Sequence, residues 1–128
     1  MDLGVSGKVA IITGGSDGIG RAAAERLSSE GAHVAIVSRT QSDLDEVSKK
    51  ISAASGNEVL GLACDVRSED AVKAMVDTVM NKWGRVDILV NNAGTSSAAT
   101  FENMTDEQVI EDFNLKVMGA VYCTRACL

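Results

Sequence analysis

No proline occurs anywhere in the 128 residues, and aromatic side chains make up only 3% of them. Average usage would supply about six prolines, so turns fall to the 12 glycines and to Asn, Asp and Ser. Positive charge is in deficit. Twelve Lys and Arg stand against 18 Asp and Glu, a net charge of −6 with a pI near 4.7. With no basic surface in surplus, neither a nucleic-acid nor an anionic-membrane partner is expected. Cysteine is scarce and odd in number, three at unrelated spacings. A disulfide framework is therefore not expected, and a reducing, cytoplasmic setting is. No apolar run approaches the roughly 18 residues that span a bilayer, and Met1-Asp2-Leu3-Gly4 does not read as a signal peptide. What is present is an ordinary globular mixture, 45% hydrophobic and 23% charged, in a length that suits one small domain.

Apolar runs of strand length alternate with amphipathic stretches of helix length. Lys8 to Thr13, His33 to Ser38, Val59 to Cys64 and Val86 to Val90 are short and rich in Val and Ile. They read as strands buried on both faces of a parallel sheet. Between them, Ile19, Ala23 and Leu27 are spaced by four, and Leu44, Val47 and Ile51 share one face. Val72, Met75, Val76, Val79, Met80 and Trp83 form a full core-facing stripe. Ser68 stands where an N-cap belongs, followed by Glu69 and Asp70. The order predicts an α/β fold, a Rossmann-type doubly wound parallel sheet of four strands with about four helices. Thr105-Asp106-Glu107-Gln108 fits a capping box. It predicts one long helix running to Leu128, apolar nearly all round from Val117 to Cys123 and so covered on more than one side.

The first strand runs through Thr13-Gly14-Gly15-Ser16-Asp17-Gly18-Ile19-Gly20 into a helix. The first N–H groups of a helix have no intrahelical partner and face a positive dipole end, so this turn suits an anion. Glycines let the backbone turn tightly and approach a pyrophosphate. A strand-to-helix turn of another Rossmann-like fold, such as a methyltransferase, has the same local pattern.

Four motifs in order narrow the choice. Gly14-xxx-Gly18-x-Gly20 after Thr13, Asp65-Val66 after the third strand, Trp83-Gly84-Arg85-Val86-Asp87 before the fourth, and Asn91-Asn92-Ala93-Gly94 after it together resemble the short-chain dehydrogenase/reductase family. Glu30-Gly31-Ala32-His33-Val34 resembles that family's entry into its second strand. The resemblance runs over essentially the whole chain. It implies an oxidoreductase that passes hydride between a nicotinamide and a ketone or secondary alcohol. It also implies that Ser16, Asp17 and Ile19 line the pyrophosphate and ribose, Asp65 and Val66 the adenine, and Asn92, Ala93 and Gly94 the second ribose. Thr13 and Asn91 have an equally good structural role, tying strand ends together.

About 20 positions past the glycine turn, an NAD site places a carboxylate for the ribose 2′-hydroxyl. Here stand Ser38-Arg39-Thr40. A guanidinium flanked by hydroxyls would instead hold a 2′-phosphate by charge-assisted hydrogen bonds. NADP(H) is therefore expected over NAD(H), with Arg39 as main determinant.

The resemblance further implies a catalytic Ser, and a Tyr with a Lys four residues on to make a phenol of pKa ~10 work near neutrality. The one tyrosine, Tyr122, is followed at that spacing by Ala126 and reads as a packing residue. The family's N-x-x-G, counted back from Gly119, puts Lys116 where the family has a supporting Asn, two residues past Asn114. Cys123 and Cys127 offer two thiolates without a third ligand, so no metal site is expected. His33 has no partner for catalysis. The expectation is thus residues 1–128 as the N-terminal, cofactor-binding half of one Rossmann domain. It lacks the catalytic half, binds nucleotide without turnover, leaves its fourth strand as a sheet edge, and joins a homo-oligomer through the last helix. A non-catalytic NADP-binding or structural module is the alternative. Only the loop at 95–104 would touch the small-molecule substrate, whose identity cannot be read.

Overall fold

β-Branched residues pack well on a pleated surface, and the Val- and Ile-rich runs become the strands of a single sheet. A computed structural model describes residues 2–94 and 100–128. The strands are β1 (Val9–Thr13), β2 (His33–Ser38), β3 (Val59–Ala63) and β4 (Ile88–Val90). All pair in parallel in the order β3-β2-β1-β4. The register sets Ile11 beside Ala35 on one side and Leu89 on the other. Side chains alternate faces along a strand, and the two faces carry two separate cores. Val9, Ile11, Ala35 and Val37 pack with Val72, Met75, Val76, Val79 and Cys123. Ile12, Val34 and Ile36 pack with Ala24, Leu44, Val47 and Ile51.

The helices that cover these faces are α1 (Gly18–Ser29), α2 (Gln41–Ser55), α3 (Glu69–Trp83), α4 (Asp106–Phe113) and α5 (Gly119–Cys127). The arrangement is the expected doubly wound α/β fold. Ser68 caps α3 by accepting from the Ala71 N–H at 3.2 Å, and Gly84 ends it at φ +76°. Gly61 lets α2 lie close on β3, because a Cβ there would meet Leu44 Cβ at 2.9 Å. The Gln41 side chain fastens the start of α2 to the same strand, donating to the Gly61 carbonyl at 3.0 Å and accepting from the Ala63 N–H at 3.1 Å.

Six expectations are corrected. β1 is buried throughout, but β3 and β4 are only half-buried, because each is an outer strand among those described and has one neighbour instead of two. Strand β4 starts at Ile88, and Asp87 instead uses its carboxylate to accept from the Val9 N–H at 2.9 Å. On α1 the buried residues are Gly20, Ala24 and Ser28, while Ile19 stands 81% exposed. The α3 stripe likewise stops short of Met80, which is 43% exposed. The single long helix after Thr105 is interrupted by a π-helical segment, Asn114–Met118. Of the stretch expected to be covered on more than one side, Val117 is exposed, as are Val109, Ile110 and Phe113 before it, while Gly119 and Cys123 are buried. The capping box itself forms on both sides, between Thr105 and Gln108.

Candidate nucleotide site

The site is built at the C-terminal ends of β1, β2 and β3. After Thr13 the chain turns through Gly14, at φ +65°. The Gly14 N–H donates to the Val37 carbonyl at 2.8 Å, which fastens the turn to β2. Gly20 lies directly beneath it. A Cβ at Gly20 would stand 2.3 Å from the Gly14 carbonyl oxygen, so helix and turn can pack this closely only with glycine there. Asp17 precedes α1 in extended conformation and its side chain makes no capping bond. The first N–H groups of α1 are thus left without an intrahelical or side-chain partner.

Thr13 ties β1 to the segment after β4. Its Oγ1 accepts from the N–H groups of Asn92 and Ala93, both at 3.0 Å, and donates to the Val90 carbonyl at 3.3 Å. Asn92 in turn donates from Nδ2 to the Gly14 carbonyl at 3.2 Å, and Asn91 donates to Thr124 Oγ1 on α5 at 3.2 Å. Asn92 thereby holds the ends of β1 and β4 together, and Asn91 holds the end of β4 to α5.

These elements enclose a cavity of about 240 Å³. Of the residues expected at a cofactor, Gly14, Ser16, Asp17, Ser38, Arg39, Thr40, Asp65, Val66, Ala93 and Gly94 line it. Gly18, Ile19, Gly20 and Asn92 do not. The Ile19 side chain is exposed, and Gly20 and Asn92 pack against Gly14 of the turn. Four further lining residues escaped the sequence reading: Val37, Asp43, Cys64 and Leu115. Val37 and Cys64 could have been found near the C-terminal ends of strand-like runs, and Asp43 as part of the first turn of α2. Nothing local marks Leu115, which the fold brings in from the π segment.

The electrostatics centre on Asp65, Arg67 and Arg39. Arg67 Nη2 donates to Asp65 Oδ2 at 2.8 Å and Nε to Oδ1 at 3.0 Å. These bonds hold the Asp65 carboxyl below the ordinary carboxylate range, with a smaller contribution from the charge of Arg39. Arg67 also pairs with Glu111 on α4. Arg39 itself is exposed and makes none of the ion pairs found among the described residues.

Lys116 sits in the middle of the π segment. Its Nζ is 4.0 Å from Asp112, and its Cε would lie 3.7 Å from a Cβ placed on Gly94. It lines a second, smaller cavity of about 50 Å³ with Thr13, Asn91 and Gly119. π segments gather at functional sites, and this one has no signature in the sequence. Tyr122 packs against the α3-side core. Burial pushes the thiols of Cys64 and Cys123 up to about 11 and about 12, which leaves them protonated and unreactive near neutrality. His33 stacks on Trp83 with ring centroids 5.4 Å apart. Among the described residues no three His, Cys, Asp or Glu come together as a metal site, and no helix is long and apolar enough to cross a membrane. Of the loop expected to touch substrate, residues 95–99 lie outside the described residues.

Comparison with known proteins agrees with this geometry. The family model for short chain dehydrogenases matches residues 8–128. L-Sorbose reductase from Gluconobacter frateurii, solved with NADPH and L-sorbose, superposes with a TM-score of 0.94 at 44% identity, over 99% of this chain and 48% of that one. A xylitol dehydrogenase solved with NAD+ superposes with a TM-score of 0.90 at 32% identity, over 96% of this chain and 47% of that one. Tropinone reductase-like 3 of Erythroxylum coca is 42% identical over 105 residues, 82% of this chain and 40% of its own length. The chain spans half or less of the length of the curated relatives it matches.

Proposed function

Given that this chain belongs to the short chain dehydrogenase family, we propose that residues 1–128 are the N-terminal, cofactor-binding half of an NADP(H)-dependent oxidoreductase acting on a ketone or secondary alcohol. The observation that carries the cofactor reading is Arg39, exposed between Ser38 and Thr40 on the wall of the 240 Å³ cavity, where an NAD site would hold a carboxylate. The residues present fit the dinucleotide. Gly14 and Gly20 let the turn and α1 pack closely, since a Cβ at either would meet Asn92 or the Gly14 carbonyl, and the start of α1 would offer its first N–H groups to a pyrophosphate. Asp65 and Val66 stand where the adenine would lie, with Ala93 and Gly94 toward the second ribose. When bound, the cofactor supplies or accepts the hydride.

The residues of this chain bind and orient the nucleotide and do not protonate a substrate, because its one tyrosine is a packing residue with Ala126 four positions on. The chain alone therefore binds without turnover. This same observation favours a second reading, a non-catalytic NADP-binding module. Lys116 stands at the family's Asn position, beside Gly94. The exposed apolar residues of α4 and the π segment are the surface through which copies of the protein would associate. A cytoplasmic setting fits the three free cysteines.

The test is calorimetric titration of NADPH and NADH into the chain and into Arg39→Asp. We expect the parent to prefer NADPH by tenfold or more, and the variant to lose or reverse that preference. Equal affinities in the parent would overturn the assignment. The second reading is separated by assay of the longest natural form containing this chain: reduction of carbonyl compounds supports the oxidoreductase, and nucleotide binding with no turnover supports the module.

A further inference from the structure

Arg67 does not line the nucleotide cavity, yet it controls the charge of one wall. Four of its bonds end on the Asp65 carboxylate. Its backbone N–H donates to Oδ1 at 3.0 Å, Nε to Oδ1 at 3.0 Å and to Oδ2 at 3.2 Å, and Nη2 to Oδ2 at 2.8 Å. Its other terminal nitrogen is held by Glu111 of α4, a contact across 44 residues of sequence that fixes the guanidinium from the far side.

The need for such an arrangement follows from the cavity's own charges. Its lining includes three carboxylates, Asp17, Asp43 and Asp65, against a single cation, Arg39. A wall so composed disfavours a phosphate, and an unpaired Asp65 would be a competitor for Arg39. The two line the same cavity, where the charge of Arg39 adds a little to the lowering of the Asp65 carboxyl. A carboxylate whose acceptor positions are filled by a bidentate guanidinium offers little to a second one.

We propose that Arg67 is a specificity-determining positioning residue: by saturating Asp65 it leaves the Arg39 guanidinium free for a phosphate on the ribose 2′ oxygen. This rests on the reading of Arg39 given above. Glu111 belongs to the same device, since it anchors Arg67 without touching the cavity.

The experiment compares two small probes that differ by the 2′-phosphate alone, 2′,5′-ADP and 5′-AMP, titrated calorimetrically into the chain and its variants. In the parent, 2′,5′-ADP should bind more tightly. Arg67→Leu should reduce that preference about tenfold, and Asp65→Asn/Arg67→Leu should regain most of it, because the uncompensated carboxylate is gone. Arg67→Lys keeps a cation beside Asp65 without the bidentate pair and should lose part of the preference, by less than tenfold, which keeps the idea testable if Arg67→Leu does not fold by circular dichroism. A preference unchanged in Arg67→Leu, an equal weakening of both probes, no recovery in the double variant, or a loss of tenfold or more in a folded Arg67→Lys would each overturn the proposal. A parent with no preference would overturn the reading of Arg39 and this proposal with it. A parent preference that survives removal of Arg67 would overturn this proposal alone.

Discussion

The segment from β1 through the glycine turn into α1 and the segment from α4 through α5 both carry apolar residues at regular spacing, but the fold treats them differently. In the first, every β1 side chain is buried, and α1 is drawn so close that its contact face consists of Gly20, Ala24 and Ser28. In the second, Val109, Ile110, Phe113 and Val117 face outward, with Phe113 at 53% exposure, and the helix passes through a π segment before Gly119 and Cys123 reach the core. Close packing selects small residues where backbones approach, while large apolar residues stand on surfaces that the described residues leave open. Hydrophobicity alone does not distinguish the two.

The comparison can be broken most directly by truncating one isoleucine in each region. Ile12→Ala, in the wholly buried strand β1, should lose about 2–5 kcal/mol of unfolding free energy. Ile110→Ala, on the outward face of α4 at 58% exposure, should stay within about 0.5 kcal/mol. Urea unfolding of the two variants checks this, and equal losses would mean that α4 is as enclosed as the sheet.

A pair of threonines sharpens it at smaller scale. Thr13→Val removes the oxygen that receives the Asn92 and Ala93 N–H groups while keeping the shape. It should lose about 1–3 kcal/mol and weaken nucleotide binding, since it releases the segment carrying Ala93 and Gly94. Thr105→Ala removes the α4 cap and should cost about 1 kcal/mol with no effect on nucleotide affinity. Unfolding curves and NADPH titrations on the same samples separate the two roles.

The smallest effect concerns acid. Hydrogen bonding from Arg85, with the Val9 N–H assisting, holds the Asp87 carboxyl below its ordinary range. A depressed folded-state pKa contributes stability that is present above the unfolded value, near 3.9, and lost as pH falls through the folded one. The parent should therefore weaken below about pH 4. Asp87→Asn should be less stable at neutral pH with a shallower acid decline, read from thermal midpoints across pH 2–7. No difference in slope would remove Asp87 from the link between β1 and β4.

Much of this was legible before any coordinates. Strand positions followed from Val and Ile density, the α3 N-cap from Ser68, the capping box from Thr105 and Gln108, and ten of the cavity-lining residues from the glycine turn, Ser38-Arg39-Thr40, Asp65-Val66 and Ala93-Gly94. Other features were not legible. On α1, Ala23 and Leu27 pack against the core as their spacing predicts, but Ile19 does not, because the packing there is decided by a 2.3 Å approach that only glycine permits. The half-burial of β3 depends on its neighbours in the sheet and not on its own composition. Leu115 reaches the cavity, and Lys116 reaches Gly94, only because helix register changes at the π segment.

The amino-acid order by itself determined the alternation of strand and helix, the glycine-rich turn and the Ser38-Arg39-Thr40 side chains that follow the second strand. Those depend on local propensity and on spacings of a few residues. Tertiary structure decided which face of each helix is closed, that Asp65 is held by an arginine anchored 44 residues away, and that the apolar side of α4 is left open. Those depend on distances between segments remote in the chain, which periodicity does not contain.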